Sequence, residues 1–138
     1  MLYNKYYYFI IGKINALILT WEKVKMKYCL ESNTKIENTG FGYTMSIIGG
    51  KYKMIIIYWL GEFEVLRYNA IHRILGNISF KVLSSTLKEL EADDLVIRKV
   101  YQQMPPKVEY TLSEKGKSLL PTLFSLCDWG EKNRPNDK

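Results

Sequence analysis

Lys81, Ser84, Ser85 and Lys88 recur at helical spacing inside the segment FKVLSSTLKELEA. At about 100° per residue they share one side of a helix with Ala92. No acidic residue falls inside that face; Glu89 and Glu91 lie to either side. Short hydroxyls and flexible cations suit two tasks, meeting phosphate oxygens and hydrogen-bonding the edges of bases. The opposite side of the same segment carries Phe80, Leu83, Leu87 and Leu90 within about 80° of one another, a stripe expected to face a core. An ordinary solvated helix face has the same composition, so the helix alone does not separate a nucleic-acid contact from plain exposure.

The flanking residues say what must hold this face in place. Ser79 precedes the helix and is suited to cap it, its hydroxyl accepting from a backbone N–H that has no helical partner; it also joins the candidate contacts. Gly76-Asn77 is a turn signal, and Tyr68 to Leu75 (YNAIHRIL) reads as a short helix before it. Short helix, glycine turn and second helix make helix-turn-helix spacing. Asp93-Asp94 then turns the chain into LVIRKVYQQM, Pro105-Pro106 interrupt it, and KVEYTL returns. The prolines cannot continue a strand ladder, so they mark the tip of a two-stranded ribbon. Helix followed at once by ribbon is the layout of a winged helix, with the wing at Val96 to Leu112. Lys107 sits beside the tip, and Arg98 and Lys99 point to opposite faces of the strand, so only one can look the same way as the helix.

Upstream, Gly49-Gly50 separates an apolar stretch beginning at Tyr43 from KYKMIIIYWL, read as a buried helix from Lys51 to Leu60, although its three consecutive isoleucines suit a strand equally. Residues 61–67 form a connection, with a short strand at Glu64 to Leu66 able to pair with the wing. Downstream, Ser113 caps a last helix that reaches about Lys132, bent at Pro121. Its apolar residues Leu119, Leu120, Leu123, Phe124, Leu126 and Cys127 spread over roughly 160°, wider than the ~100° needed to face one core. The excess implies a second subunit, with Leu120, Leu123, Phe124 and Cys127 as the seam. A two-fold dimer would read paired half-sites about one turn of DNA apart.

The bulk composition is that of a globular protein: 138 residues, 47% hydrophobic and 25% charged, with net charge +6. The charge is not concentrated where it would matter. Between residues 79 and 112, Lys81, Lys88, Arg98, Lys99 and Lys107 are balanced by Glu89, Glu91, Asp93, Asp94 and Glu109. Two cysteines, Cys29 and Cys127, and a single histidine, His72, leave a zinc site without ligands, and no disulfide framework is implied. A reducing cytoplasm is the expected setting. No nucleophile with a base, phosphate-cradling loop or paired carboxylates stands out, so an enzyme is the weakest class and no cofactor is expected. The run Phe9 to Trp21 is too short to span a bilayer, which needs ~20 apolar residues. Residues 1–42 are read as an N-terminal extension, weakly ordered or the product of a misassigned start with Met26 as the true one. Residues 43–133 form the domain and 134–138 a tail.

Four segments together resemble the HxlR family of bacterial transcription regulators, relatives of the MarR group: IIGGKYK at 47–53, ISFKVLSSTLKELEADDLVIRKVY at 78–101, PPKVEYTLSEKGKSL at 105–119 and LCDWGEK at 126–132. The resemblance implies an α+β, predominantly helical winged helix-turn-helix fold with N- and C-terminal dimerisation helices. It implies a homodimeric, cytoplasmic protein that binds double-stranded DNA, often as a repressor, with no membrane association. Some members sense oxidants, quinones or aldehydes through a cysteine near the N-terminus. Cys29, with Lys25 and Lys27 close by to favour its thiolate, is the redox-sensing candidate. Cys127, on the apolar side of the last helix beside Asp128, is expected to be inert packing. This sequence departs from the pattern at Tyr52, where the family has Trp, and at Asp94, where it prefers a turn glycine. The connection before Arg67-Tyr68 is one residue longer and lacks a glycine. A winged helix that binds protein rather than DNA is the alternative, and the electrically balanced wing region leaves room for it.

Overall fold

The computed structural model describes residues 35–135, and the expectations for residues 1–34, Met26 and Cys29 among them, lie outside that range. The described residues divide into two units, 35–46 and 47–135. In the first, a 3-10 turn at Ile36–Asn38 leads into helix α1, Gly40–Ile48. Thr39 joins them, donating from its hydroxyl to the Ile36 carbonyl at 2.6 Å and accepting from the Gly42 N–H at 3.0 Å.

The second unit begins with the last residues of α1 and continues through α2 (Lys53–Phe63), β1 (Val65–Arg67), α3 (Tyr68–Leu75), α4 (Phe80–Ala92), β2 (Val96–Tyr101), β3 (Lys107–Leu112), α5 (Glu114–Ser118) and α6 (Leu120–Asn133). The isoleucine run is helical. It places Ile56, Ile57 and Leu60 on the inner side of α2, each almost fully buried, and leaves Ile55 exposed. Ile71 of α3, Leu83, Leu87 and Leu90 of α4, Leu95, Val96, Tyr110 and Leu112 of the ribbon and Leu123 of α6 complete one core. Each such aliphatic side chain contributes about 1.5–3 kcal/mol on burial.

The three strands are antiparallel in the order β1-β3-β2. The short strand expected at Glu64–Leu66 is found one residue on and does pair with the wing, with Leu66 opposite Tyr110. Tyr110 also faces Arg98 on its other side, so the buried ring anchors the middle of the sheet.

Two local motifs fix α4. At its start, Gly76 adopts φ 65°, which a side chain would resist, and lets the chain reverse after α3. Ser79 caps the helix as expected, accepting from the Val82 N–H at 3.2 Å. At its end, Asp94 takes φ 56° where glycine is the usual choice. The Leu95 N–H bonds to the Leu90 carbonyl and the Asp94 N–H to the Glu91 carbonyl, the pattern of a Schellman stop.

The corner where α4 meets the ribbon is fastened a second time. Ser113 donates its hydroxyl to the Asp94 carbonyl at 2.6 Å and accepts from the Gly116 N–H at 2.9 Å, while Lys115 donates to the Asp93 carbonyl at 2.8 Å. Gly116 lies so close to the Leu95 carbonyl that a Cβ there would collide with backbone.

Two expectations need correcting. Phe80 does not join the core; it is 62% exposed, and Thr86 is buried in its stead with its hydroxyl donated to the Val82 carbonyl at 2.9 Å. The buried arc of α4 is centred on Leu83 and Leu90, so the first-turn phenylalanine falls at its edge. The C-terminal helix is not one bent rod: it breaks at Leu119 into α5 and α6, with Pro121 in the first turn of α6, where its missing N–H costs no bond.

Candidate nucleic-acid interface

Helix α4 turns Lys81, Ser85 and Lys88 outward, all exposed, with Ser84 half-buried at the margin of the same face. Neither lysine has an acidic partner among the described residues. Each hydroxyl is already engaged, Ser84 with α3, Ser85 within α4 and Ser79 at the start of α4. Ser84 Oγ lies 2.9 Å from Tyr68 Oη, and Tyr68 donates to the Phe80 carbonyl at 2.9 Å. Ser85 Oγ donates to Glu89 Oε1 at 3.2 Å. The Ser79 hydroxyl is occupied as the helix cap.

Behind Glu89 stands a residue that sequence reasoning passed over. Lys53, on α2 and only 9% exposed, places its Nζ 3.0 Å from Glu89 Oε2 and 3.7 Å from Asp93 Oδ2. The lysine hydrogen bond, with a smaller one from Ser85, holds the Glu89 carboxyl below the usual carboxylate range. A buried cation needs such company. The motif GGKYK contained the signal, a lysine three residues after a glycine pair and directly before an apolar run, but spacing alone does not say which lysine turns inward.

Exposed Phe80 stacks on His72, ring centroids 4.2 Å apart and 6° between planes, and more loosely on Tyr68 at 6.3 Å. The histidine is therefore covered by an aromatic ring rather than standing as a separate surface group. Arg98 of β2 points to the helix side of the ribbon. With Tyr68, Ser84, Lys88 and Glu91 it lines a cleft of about 350 Å³ between α4 and the sheet. Lys99 takes the other face, its Nζ 5.0 Å from the Tyr101 ring. Lys107, expected to project at the wing tip, is drawn back: its Nζ is 2.7 Å from Glu109 Oε1 and 4.5 Å from the centre of the Tyr101 ring. The residues beyond it, Gln102 to Pro106, are exposed and uncharged, with Met104 at 94%.

The residues assigned to a subunit seam are divided. Leu123 is buried in the core of its own chain and is not available as first expected, while Leu120 lies across Gly61 of α2 and is half-buried. Phe124 meets Tyr58 edge-on at 6.3 Å. The outward side of α6 instead shows Leu126 and Trp129, 52% and 67% exposed. Cys127 is half-buried, and burial, followed by the charge of Asp128, pushes its thiol up and away from the reactive thiolate. No group of His, Cys, Asp or Glu among the described residues could hold a metal ion, and none of the described helices is long and apolar enough to cross a membrane.

Comparison with known proteins agrees with this geometry. Residues 47–138 match the family model described as HxlR-like helix-turn-helix. An HTH-type transcriptional regulator of Halalkalibacterium halodurans is 57% identical over 101 residues, spanning 73% of this chain and 89% of that one. Among solved structures, the redox regulator HypR in its oxidised form is 44% identical with a TM-score of 0.64, over 68% of this chain and 96% of its own. Diamide-treated YodB of B. subtilis is 31% identical with a TM-score of 0.57, over 69% and 94%. The chain belongs to the HxlR-like helix-turn-helix family, a winged helix-turn-helix transcriptional regulator that binds DNA and is not an enzyme.

Proposed function

We propose that this regulator acts as a homodimeric repressor, inserting α4 of each copy into the major groove and responding to oxidants or electrophiles through Cys29. The reading rests chiefly on one observation. Lys81 and Lys88 stand outward on a helix whose opposite side is core, and they lack acidic partners among the described residues. Such cations release counterions when they meet phosphates, which makes binding depend steeply on salt. Arg98, brought beside Lys88 at the cleft, adds a third cation on the same side.

Pairing is supported by the apolar Leu126 and Trp129 on the outer side of α6, a costly surface to leave in water. Two copies joined there would present two α4 helices to successive turns of one DNA face. Redox responsiveness is supported by the likeness to HypR, a redox regulator, and by the protonated character of Cys127, which leaves Cys29 as the thiol to respond.

The test is anisotropy titration of the full chain against the DNA flanking its own coding region, across a salt series, with and without diamide. Tight binding that weakens steeply with salt and is released by diamide in the native chain, but not in Cys29→Ser, is the expected result. Retention of a protein partner at all salt concentrations with no DNA shift would replace DNA regulation with a protein-docking role. Sedimentation should give a dimer that Trp129→Ala weakens; a monomer at micromolar concentration would remove the paired arrangement.

A further inference from the structure

Two hydroxyls on the outer face of α4 have already committed their protons. Tyr68 has one phenolic proton, and it goes to the Phe80 carbonyl. The contact between Tyr68 Oη and Ser84 Oγ therefore has the serine as donor. Glu89 is ionised beside Lys53, and a carboxylate only accepts, so the proton of Ser85 points to Glu89 Oε1. A serine has a single proton. What remains outward on each is a pair of acceptor lone pairs.

On the DNA-binding reading above, we propose that Ser85, with Ser84 at its margin, acts as an acceptor-only reader of base edges that selects amino bases, adenine or cytosine, over keto bases on the strand it faces. Phosphate oxygens accept and do not donate, so either serine would set acceptor against acceptor there. The Glu89 charge next to Ser85 adds repulsion. In the major groove the donors are the N6 amine of adenine and the N4 amine of cytosine, whereas thymine O4 and guanine O6 and N7 are acceptors. Every base pair shows one amine in the major groove, so the selection acts on which strand bears it at that position. Lys81 and Lys88, on the same face, take the phosphates. Lys53 acts at a distance from the groove: by holding Glu89, it orients the Ser85 proton inward and is a positioning residue.

The experiment is selection from randomised duplexes by the full chain, with Ser85→Ala and Glu89→Gln in parallel and circular dichroism to confirm that each is folded. The native chain should show a position per half-site with adenine or cytosine on one strand. Ser85→Ala should erase that bias and weaken the preferred sequence roughly 2- to 10-fold, the range of one neutral hydrogen bond, with the salt slope unchanged. Glu89→Gln, whose amide can itself donate to Ser85, frees the serine proton and should admit thymine or guanine there. An unaltered profile in Ser85→Ala, or a uniform loss across sequences with a shallower salt slope, overturns the proposal and makes Ser85 a bystander or a phosphate contact. Absence of DNA binding by the native chain at low salt would instead remove the reading on which the proposal rests.

Discussion

Lys81 and Lys88 on α4 and Lys107 on β3 are the same residue type under different conditions. The helix lysines have open water beside them, while the wing lysine is held by Glu109 and lies against the Tyr101 ring. Beyond Lys107 the tip is amide, thioether and proline, with no charge from Gln102 to Pro106. A cation already paired inside the protein releases little on meeting phosphate, because its field is spent locally. On the proposed reading, the electrostatic hold on DNA falls to the helix lysines, with Arg98 beside them at the cleft, and the wing tip is left with uncharged contact. Counting basic residues, two on the helix and three in the wing, would have given the wing the larger share.

Replacing both helix lysines is the sharpest way to break that division. Lys81→Ala with Lys88→Ala should weaken operator binding at least roughly 10- to 100-fold at moderate salt and reduce the salt slope by about 2 for each copy bound, about 4 for the dimer, with no change in melting temperature. An unchanged slope would move the phosphate contacts elsewhere. Next comes the corner between the two regions. Ser113→Ala removes a donor to Asp94 and the cap of α5 together, and should cost about 1–3 kcal/mol in denaturant unfolding.

Glu89→Gln tests the inner support of the helix face. The folded-state pKa of Glu89 is lowered, so its stabilisation is complete above the ordinary carboxylate range and vanishes as pH falls through the lowered value. The variant should melt below the native chain at neutral pH, and the gap should close in acid. A gap that persists in acid would mean the carboxylate charge is not what Lys53 holds. Asp94→Gly, relieving the left-handed backbone at the helix stop, should stabilise by about 0.5 kcal/mol and raise the melting point by about 2–4 °C. The smallest effect is expected for Lys107→Ala, about 2-fold or less in DNA affinity with a barely altered salt slope. A loss equal to that of a helix lysine would erase the contrast between the regions.

The elements that were legible in the sequence share a cause: their signals are local. Ser79, Gly76 and Ser113 announce caps and turns through their own backbone chemistry, and Tyr68–Leu75 was bounded by them on one side. Phe80 misled because periodicity assigns an angle without saying where the buried arc is centred, and that centre is set by the ribbon and α2. A proline inside an apolar run reads as a bend in one helix, but its tolerance in a first turn lets the chain start a new one after Leu119. Leu123 belongs to its own core rather than to a partner, because an apolar arc does not reveal how much of it the chain itself covers. At the candidate interface, the outward placement of Lys81, Ser85 and Lys88 was legible in their spacing. Lys53 and the Tyr68–Ser84 contact were not, since each depends on a residue far along the chain; the retraction of Lys107 turns instead on Glu109 and Tyr101 sharing its face of the hairpin.

The crowding of Gly116 against the Leu95 carbonyl has a bearing on how such proteins diverge. Substitution there is barred even to alanine, since one added methyl group would strike peptide backbone at the hinge of helix and hairpin. Five residues at the hairpin's end, by contrast, stand in solvent and can drift in length and chemistry without disturbing anything beneath. Lineages descended from this architecture should therefore vary most at the tip and least at the corner, acquiring new target preferences by changing the former while inheriting the latter intact.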